Sequence, residues 1–378
     1  STGAATSAGS TAGTAGTTVE PLPASRWTVG LPGAVHLARP LHLDDAVVVA
    51  WSDDDAGVGG LSCHDLATGE ERWRSDLDAP VRGGATLLPG VDTIVAASIG
   101  GGVVGVDPAT GERRWHHQLG DRLRSWLMAS PVAVDDAVAV GHVADLALLD
   151  GRDGTVVWHR DDLDGSMPMA TPLQGVVQDG VLVVGFSFND LHTVGIDPAD
   201  GSKIWTVDSP RTTAPLSDIV ADPEGADVYL ARIGGRVERL VAATGERRWR
   251  TKVGAAFAPG RPLVLGDGLI VTDALGRVHR FARADGAPVW RTQLPGDRLL
   301  AMGPYRREGL AVPAGPVRAD DGTIMQTAGD GGVHRLDATD GAILASVDLG
   351  VPITVPAIAV DDDVVVATAH GTLARLPL

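Results

Sequence analysis

This chain of 378 residues has a single cysteine, two lysines and no long apolar run. The lone Cys63 cannot form an intramolecular disulfide, and its position in a predicted strand favours a small buried side chain over a reactive thiol. A helix that crosses a bilayer needs about 18 or more consecutive apolar residues, and no such run is present. The sequence therefore predicts that the folded part of the chain does not span a membrane.

Positive charge is also outweighed by negative charge, and the formal net charge is −17. Nucleic-acid binding needs a basic stripe that displaces counterions from phosphates, so this charge argues against a nucleic-acid partner. The acidic pairs fall at predicted turns without calcium-loop spacing, and the histidines lack zinc-ligand spacing. No nucleophile elbow or phosphate loop occurs either. We therefore expect no metal-binding and no catalytic residue.

The sequence does contain an internal repeat, in which a tryptophan follows a glycine by four residues. The Thr-Gly and Asp-Gly dipeptides in these copies are typical of tight hairpin turns, because glycine accepts a positive φ and the Asp or Thr side chain can bond to the turn backbone. Each copy is thus predicted to be strand, turn, strand. The pairs are Gly69 and Trp73, Gly111 and Trp115, Gly154 and Trp158, Gly201 and Trp205, Gly245 and Trp249, and Gly286 and Trp290.

Two further alternating runs precede each turn, so the repeating unit is predicted to be a four-stranded antiparallel sheet. A proline begins most of the first strands, and proline lacks the N–H that a central strand needs. In a β-propeller the innermost strand of each blade has a free edge beside the axial channel. The fold is therefore predicted to be an all-β propeller. The prolines are Pro40, Pro131, Pro172, Pro215, Pro262, Pro316 and Pro356.

The number of outer strands predicts eight blades. Seven are marked by tryptophans, the first being Trp27, and the eighth carries Ala345 where tryptophan is expected. Residues 351–378 supply only three strands, so the strand around Trp27 is expected to complete the last blade and close the ring. Residues 27–378 then form one propeller domain. Residues 1–26 are expected to be a flexible Ser/Thr/Gly/Ala-rich tether and lead-in, from which a leader has been removed.

The pattern in residues 105–115 closely resembles the tryptophan-docking repeat of pyrroloquinoline quinone (PQQ) enzymes and their non-catalytic relatives. The resemblance covers nearly the whole chain after Trp27. It implies eight blades, with each indole packed between neighbouring blades and its N–H bonded to backbone. The residues that it assigns to structural docking are Trp27, Trp73, Trp115, Trp158, Trp205, Trp249 and Trp290.

The enzymes of that family use PQQ, a calcium ion, a catalytic aspartate and often a disulfide between adjacent cysteines. This chain cannot form that disulfide and is much shorter than those enzymes, and its repeated aspartates are explained by turns. No catalytic, cofactor-binding or metal-binding residue is therefore carried over. The chain looks like the shorter, BamB-like branch, which includes a lipoprotein of the outer-membrane assembly machinery and propeller domains of extracytoplasmic or sensor proteins.

Candidate binding residues lie in the loops that join an outer strand to the next inner strand and open at the channel mouth. One loop carries Trp126 and Met128, and the longest carries Tyr305, Arg306 and Arg307. Arginine together with Trp or Tyr is the composition of binding hot spots. These five residues are therefore predicted to dock a protein partner or a small ligand.

The leading hypothesis is a monomeric, non-catalytic scaffold of the cell envelope, attached to the membrane only through a possible N-terminal lipid tether. It implies no cofactor. Two alternatives stay open from the sequence. One is a PQQ-dependent oxidoreductase with calcium, and the other is a ligand-sensing domain of a larger receptor or kinase.

Overall fold

The structure is a computed structural model that describes residues 25–36, 38–120, 130–141, 146–163, 175–185, 192–208, 217–232, 235–253, 260–273, 275–295 and 314–378. These residues form eight four-stranded antiparallel sheets, arranged as the blades of a β-propeller. The predicted fold is thereby confirmed. The one helical element in the described ranges is a 3-10 turn at Pro89–Val91.

The strands are numbered along the chain, and blades 1 to 7 each use four consecutive strands. Blade 1 contains β2 (Leu41–Leu43), β3 (Ala46–Asp53), β4 (Val58–Asp65) and β5 (Glu71–Leu77). Blade 2 contains β6 (Thr86–Leu88), β7 (Thr93–Ala97), β8 (Gly102–Val106) and β9 (Arg113–Gln118). Blade 3 contains β10 (Val132–Val134), β11 (Ala137–Gly141), β12 (Leu146–Asp150) and β13 (Val156–Arg160). Blade 4 contains β14 (Val176–Gln178), β15 (Val181–Gly185), β16 (His192–Ile196) and β17 (Lys203–Asp208).

The remaining blades follow the same plan. Blade 5 contains β18 (Val220–Ala221), β19 (Asp227–Arg232), β20 (Arg236–Val241) and β21 (Arg247–Lys252). Blade 6 contains β22 (Leu263–Leu265), β23 (Gly268–Thr272), β24 (Arg277–Ala282) and β25 (Pro288–Gln293). Blade 7 contains β26 (Val317–Arg318), β27 (Ile324–Thr327), β28 (Gly332–Leu336) and β29 (Ile343–Asp348). Blade 8 contains β30 (Ile358–Val360), β31 (Asp363–Ala367), β32 (Thr372–Pro377) and β1 (Trp27–Gly30).

The ring closes as predicted, because β1 pairs with β32 in antiparallel register, with Trp27 opposite Arg375. An ion pair of 2.5 Å between Arg26 Nε and the buried Asp363 adds to this closure. The inner strand of each blade lies at the edge of its sheet, and Pro40 and Pro262 directly precede two of these strands. Prolines at a free edge cost no ladder hydrogen bond, which explains their recurrence.

The cores lie between neighbouring blades. The second strands consist mainly of buried aliphatic residues, as in Val47, Val48 and Val49 of β3. Side chains alternate between the two faces of a strand, so each sheet buries one set against each neighbour. One apolar cluster, for example, joins Val49 of blade 1 to Ile94 and Val104 of blade 2.

The turn between the third and fourth strands has one geometry throughout blades 1 to 7. In blade 1 the Oδ1 atom of Asp65 accepts the backbone N–H groups of Ala67 and Thr68 at 2.9 and 2.8 Å, and Gly69 has a φ of +78°. A β-bulge follows in each of these strand pairs. The prediction that the repeated glycines adopt a positive φ is confirmed.

Candidate functional site

Each docking tryptophan bonds to the next blade. Its indole Nε1 donates to a backbone carbonyl oxygen in that blade's turn between the third and fourth strands, over 2.8 to 3.2 Å. This role for the seven tryptophans agrees with the resemblance. The donors and acceptors are Trp27 and Leu66, Trp73 and Pro108, Trp115 and Gly151, Trp158 and Pro198, Trp205 and Ala242, Trp249 and Arg283, and Trp290 and Ala338.

The indole of the preceding blade packs directly against the turn glycine. A Cβ atom at Gly69 would lie 2.7 Å from Cε3 of Trp27, and one at Gly154 would lie 2.5 Å from Cε3 of Trp115. The glycine of a repeat therefore contacts the indole of the preceding blade, and the tryptophan of the same repeat packs on the glycine of the following blade. Each glycine receives the indole of the preceding blade, so the repeat encodes the interface between blades as well as the turn.

Third-strand arginines provide a second set of donors that the sequence analysis missed. Arg239 lies opposite Trp249 in the sheet, and its Nη1 donates to Arg283 O at 2.8 Å, the same oxygen that the indole reaches. Blades 6 and 8 repeat this arrangement with Arg280 and Arg375. In blades 1 to 4 the same position is apolar or glycine, namely Cys63, Gly105, Leu148 and Gly195.

These arginines are also paired with carboxylates in or just before the second strand, as in Arg239 Nε with Asp227 Oδ2 at 2.6 Å. A regular signal was present in the sequence for blades 5 and 6, because the arginine precedes the tryptophan by ten residues, from 239 to 249 and from 280 to 290. The pairing register explains this spacing, because it brings the arginine and the tryptophan side by side.

One face of the ring carries the turns between second and third strands. It also carries the connections from each outer strand to the next inner strand. We call it the mouth face. Antiparallel order places these segments at one end of every blade. Hydroxyl groups hold the connections in place: Ser130 Oγ accepts the Gly84 N–H at 2.7 Å, and Ser52 Oγ donates to Val81 O at 2.7 Å.

The five residues predicted to bind a partner lie outside the described residues. Trp126 and Met128 fall in residues 121–129, and Tyr305, Arg306 and Arg307 fall in residues 296–313.

The described residues that flank both stretches are bonded at the mouth face. Leu119 N–H donates to Gly101 O at 2.8 Å, and Leu294 N–H donates to Gly276 O at 3.0 Å. On the other side of the longer stretch, the carbonyl oxygen of Ala314 accepts a hydrogen bond from Gln326.

A buried ion pair lies near the mouth face in blade 5. Arg232 Nε lies 2.6 Å from Glu238 Oε2, and both side chains are essentially inaccessible. Burial alone would raise the pKa of Glu238, yet the charge of Arg232 and hydrogen bonds from Arg232 and Arg250 lower it. Arg232 also donates to Thr193 of blade 4 at 3.2 Å. The carboxylate is thus held ionised, and Arg232 links blade 5 to blade 4, which is a structural role.

A second buried pair has the composition of an acid–base dyad. His279 Nε2 lies 2.8 Å from Asp273 Oδ2, which Arg277 Nη2 also approaches at 2.6 Å. The side chains of His279 and Asp273 are only 5% and 0% exposed, so neither can reach a substrate. His334 occupies the equivalent position in blade 7 and bonds to Ser346 Oγ at 2.9 Å. Both histidines are therefore core residues.

The described residues do not fit the cofactor set of the PQQ enzymes. No group of three or more His, Cys, Asp or Glu side chains that could hold a metal ion occurs among them. Cys63 is buried opposite Trp73, away from any second cysteine, and burial raises the pKa of its thiol to about 11. Within the same ranges, no helix is long and apolar enough to cross a membrane.

Three charged residues before inner strands were also missed by the sequence analysis. Arg39, Asp218 and Arg261 each stand two residues before the inner strand of blades 1, 5 and 6. Loss of hydration lowers the pKa of Arg39 to about 10, the charge of Arg261 lowers it further, and the charge of Asp218 raises it. No local pattern marks these residues, because the equivalence of the positions appears only once the inner strands are located.

Comparisons with known proteins agree with this geometry. The chain is 26% identical over 372 residues to the outer membrane protein assembly factor BamB of Bordetella pertussis, which covers 92% of this chain and 85% of that protein. The crystal structure of BamB from Moraxella catarrhalis superposes with a TM-score of 0.69 at 18% identity, covering 93% of this chain and 96% of that one.

A quinohemoprotein alcohol dehydrogenase from Comamonas testosteroni reaches a TM-score of 0.70 at 12% identity, covering 93% of this chain and 76% of that one. At these identities the two solved structures show the shared fold alone. The sequence profile of the outer membrane protein assembly factor BamB family is more specific, because it matches residues 24–140, 57–292 and 275–377. The chain therefore belongs to the BamB family.

Proposed function

We propose that this protein is a non-catalytic scaffold of the cell envelope that binds a protein partner through the mouth face. The observation that carries the proposal is the contrast between the two faces of the ring. On the opposite face, the turn between the third and fourth strands keeps one backbone geometry in blades 1 to 7, whereas the connections at the mouth differ widely. β5 ends at Leu77 and β6 begins at Thr86, but β25 ends at Gln293 and β26 begins only at Val317.

Variation in loops on a rigid scaffold is where binding proteins place their specificity. The repeated polar residues are engaged in turns and in bonds between blades, so the fold accounts for them. The relatives are named outer membrane protein assembly factors, which supports a role in the assembly of other proteins and a location in the envelope. Residues 1–26 would then serve as the tether and the lead-in to the ring, with residues 27–378 as the docking domain of a monomer.

Within the mouth face, we expect Trp126, Met128, Tyr305, Arg306 and Arg307 to form the contact surface. The support is compositional: arginine and aromatic residues in two long connections of a strongly acidic chain. Leu119 and Leu294, which precede the two connections, are bonded at the mouth face, so both connections begin on that face.

The test is affinity capture from an envelope extract with the wild-type protein and with the Tyr305→Ala/Arg306→Ala double variant. Loss of about 1 to 4 kcal/mol in binding is expected for hot-spot residues, with the melting temperature unchanged. Arg291→Ala, an exposed arginine of the outer strand β25, is the matched control and should capture partners like the wild type. Identical capture by the double variant would reject this surface. Tight PQQ binding with calcium and dye reduction on an alcohol would overturn the scaffold role itself.

A further inference from the structure

We infer that the rim of blade 5 carries a phosphate-binding site built by Arg247 and Arg250 of the outer strand β21. The site takes a phosphate group, either of a phospholipid headgroup or as free phosphate. It lies on the outer wall of the ring and uses none of the mouth-face residues proposed to dock a protein. The inference therefore does not depend on that proposed function.

Positive charge is concentrated in the hairpin of β20 and β21. Residues 236–252 contain six basic and two acidic side chains, in a chain whose net charge is −17. β21 itself has four basic residues and no acidic one. Clustered like charges repel one another and oppose folding, so this local excess of positive charge favours a partner of opposite charge.

The β-bulge in this hairpin directs Arg247 and Arg250 to the same side of the sheet. Residues three apart on a regular strand point to opposite faces. Here Arg250 lies opposite Glu238, and the register then shifts so that Arg247 lies opposite Leu240, two residues further along β20. Both arginines therefore share the face of the sheet that carries Glu238. This face is turned toward blade 4, because Leu240 packs in one apolar cluster with Trp205 of that blade.

Three guanidinium groups share the single carboxylate of Glu238. Arg232 Nε lies 2.6 Å from Oε2, Arg250 Nε donates to Oε1, and Arg247 Nε lies 3.5 Å from the same Oε1. Glu238 is fully buried, whereas the side chains of Arg247 and Arg250 are each 36% exposed. One negative charge thus holds two exposed arginines together and leaves the group with a net positive charge.

The outer ends of both arginines are available to a ligand. Within the described residues, the Nη groups of Arg247 and Arg250 have no hydrogen bond or ion pair, since each side chain reaches Glu238 through Nε. Arg236 and Lys252 pair with each other in the register on the same face and also have no acidic partner there. Guanidinium forks match the oxygens of phosphate, and its two negative charges offset this excess better than one carboxylate would.

The repeat explains the bulge but not the charges gathered beside it. The bulge recurs in blades 1 to 7, yet in the other blades the residue equivalent to Glu238 has no carboxylate. The fold therefore does not require a buried carboxylate there, and its effect in blade 5 is to position the two arginines. The equivalent residues are Ser62, Val104, Ala147, Val194, His279, His334 and Ala374.

The site is tested with the full chain at low ionic strength. Inorganic phosphate is titrated calorimetrically, and vesicles of phosphatidylcholine with or without phosphatidylglycerol are used for cosedimentation. Arg247→Gln and Arg250→Gln are each expected to weaken binding at least about tenfold, because a charge-assisted hydrogen bond is lost. Binding of inorganic phosphate would identify the free anion as the source of the phosphate group. Binding only of vesicles that contain phosphatidylglycerol would identify lipid headgroups.

Arg291→Gln is the matched control. Arg291 occupies in blade 6 the position of Arg250 in blade 5, but it lies opposite His279 instead of Glu238. The control removes the same charge and should bind like the wild type. Arg247→Gln serves as the variant that keeps its fold, because its contact with Glu238 is long, and its melting temperature without ligand should equal that of the wild type.

Two results would overturn the inference. One is the absence of binding of both probes by the wild type. The other is equal binding by the wild type and Arg247→Gln, or an equal loss of binding in Arg247→Gln and Arg291→Gln, since the effect would then reflect overall charge and not this site.

Discussion

Arg335 donates a hydrogen bond of 2.7 Å from its Nη1 to the carbonyl oxygen of Leu378. The bond joins blade 7 to blade 8 at the position where other interfaces carry an indole. Ala345 stands in place of the tryptophan there, and blade 8 joins β32 to β1 by pairing, without a turn that could receive a ring. The missing tryptophan thus follows from the way in which the propeller closes.

Replacing Arg335 should therefore destabilise the fold more than replacing the equivalent arginine of another blade. We expect Arg335→Met to lower the free energy of unfolding by about 1 kcal/mol more than Arg280→Met, because Ala338 O keeps the Trp290 indole as a donor after the second change. Each substitution also removes an ion pair with an aspartate of the turn between the first and second strands, Asp321 or Asp267, so the comparison is matched. Denaturant unfolding of both variants measures the difference, and equal losses would contradict it.

Docking tryptophans should be among the most sensitive positions. Replacing Trp115 or Trp249 with alanine is expected to cost about 3 to 5 kcal/mol, because a large buried side chain and its hydrogen bond are both removed. Trp126→Ala, outside the repeat frame, should cost much less. Thermal unfolding of the three variants decides this, and the assignment fails if Trp126→Ala is the most damaging.

The closing strand gives a truncation test. Deletion of residues 1–18 should leave the melting temperature nearly unchanged, because they precede the strand that closes the ring. Deletion of residues 1–28 should be severe, because it removes half of β1, the Arg26–Asp363 ion pair and the Trp27 indole. Equal melting temperatures would argue against a stabilising role for this closure.

Acid should weaken the fold through the turn aspartates. Hydrogen bonds from Thr323 and then from Arg335 lower the pKa of Asp321 to about 2, below its value of about 3.9 in an unfolded chain. The unfolded state therefore binds more protons between these values, so stability is complete above about pH 4 and falls as the pH approaches 2. Unfolding free energies from pH 5 to pH 2 should decline less steeply in Asp321→Asn. An identical decline of the unfolding free energy with pH in the wild type and in Asp321→Asn would show that Asp321 does not contribute to the acid sensitivity.

The architecture was predictable because the glycine and tryptophan of each repeat have one physical reason to recur. Glycine is needed at a positive φ. The indole needs a flat surface to pack on and a hydrogen-bond acceptor in the next blade. The mouth was less predictable. Arg232 reaches Thr193 of blade 4 only because the two blades pack together, and their segments share no motif. Glu238 likewise reads as an ordinary strand residue until Arg232 is placed beside it.

Pairing of β1 with β32 also has a consequence for the order of folding. β1 is synthesised before blades 1 to 7 and its partner β32 after them, so the growing chain carries an open arc with an unpaired strand edge. Contacts between such distant segments form slowly. In that interval β1 of one copy can pair with β32 of another, so this mode of closure favours strand exchange between nascent chains as a folding error.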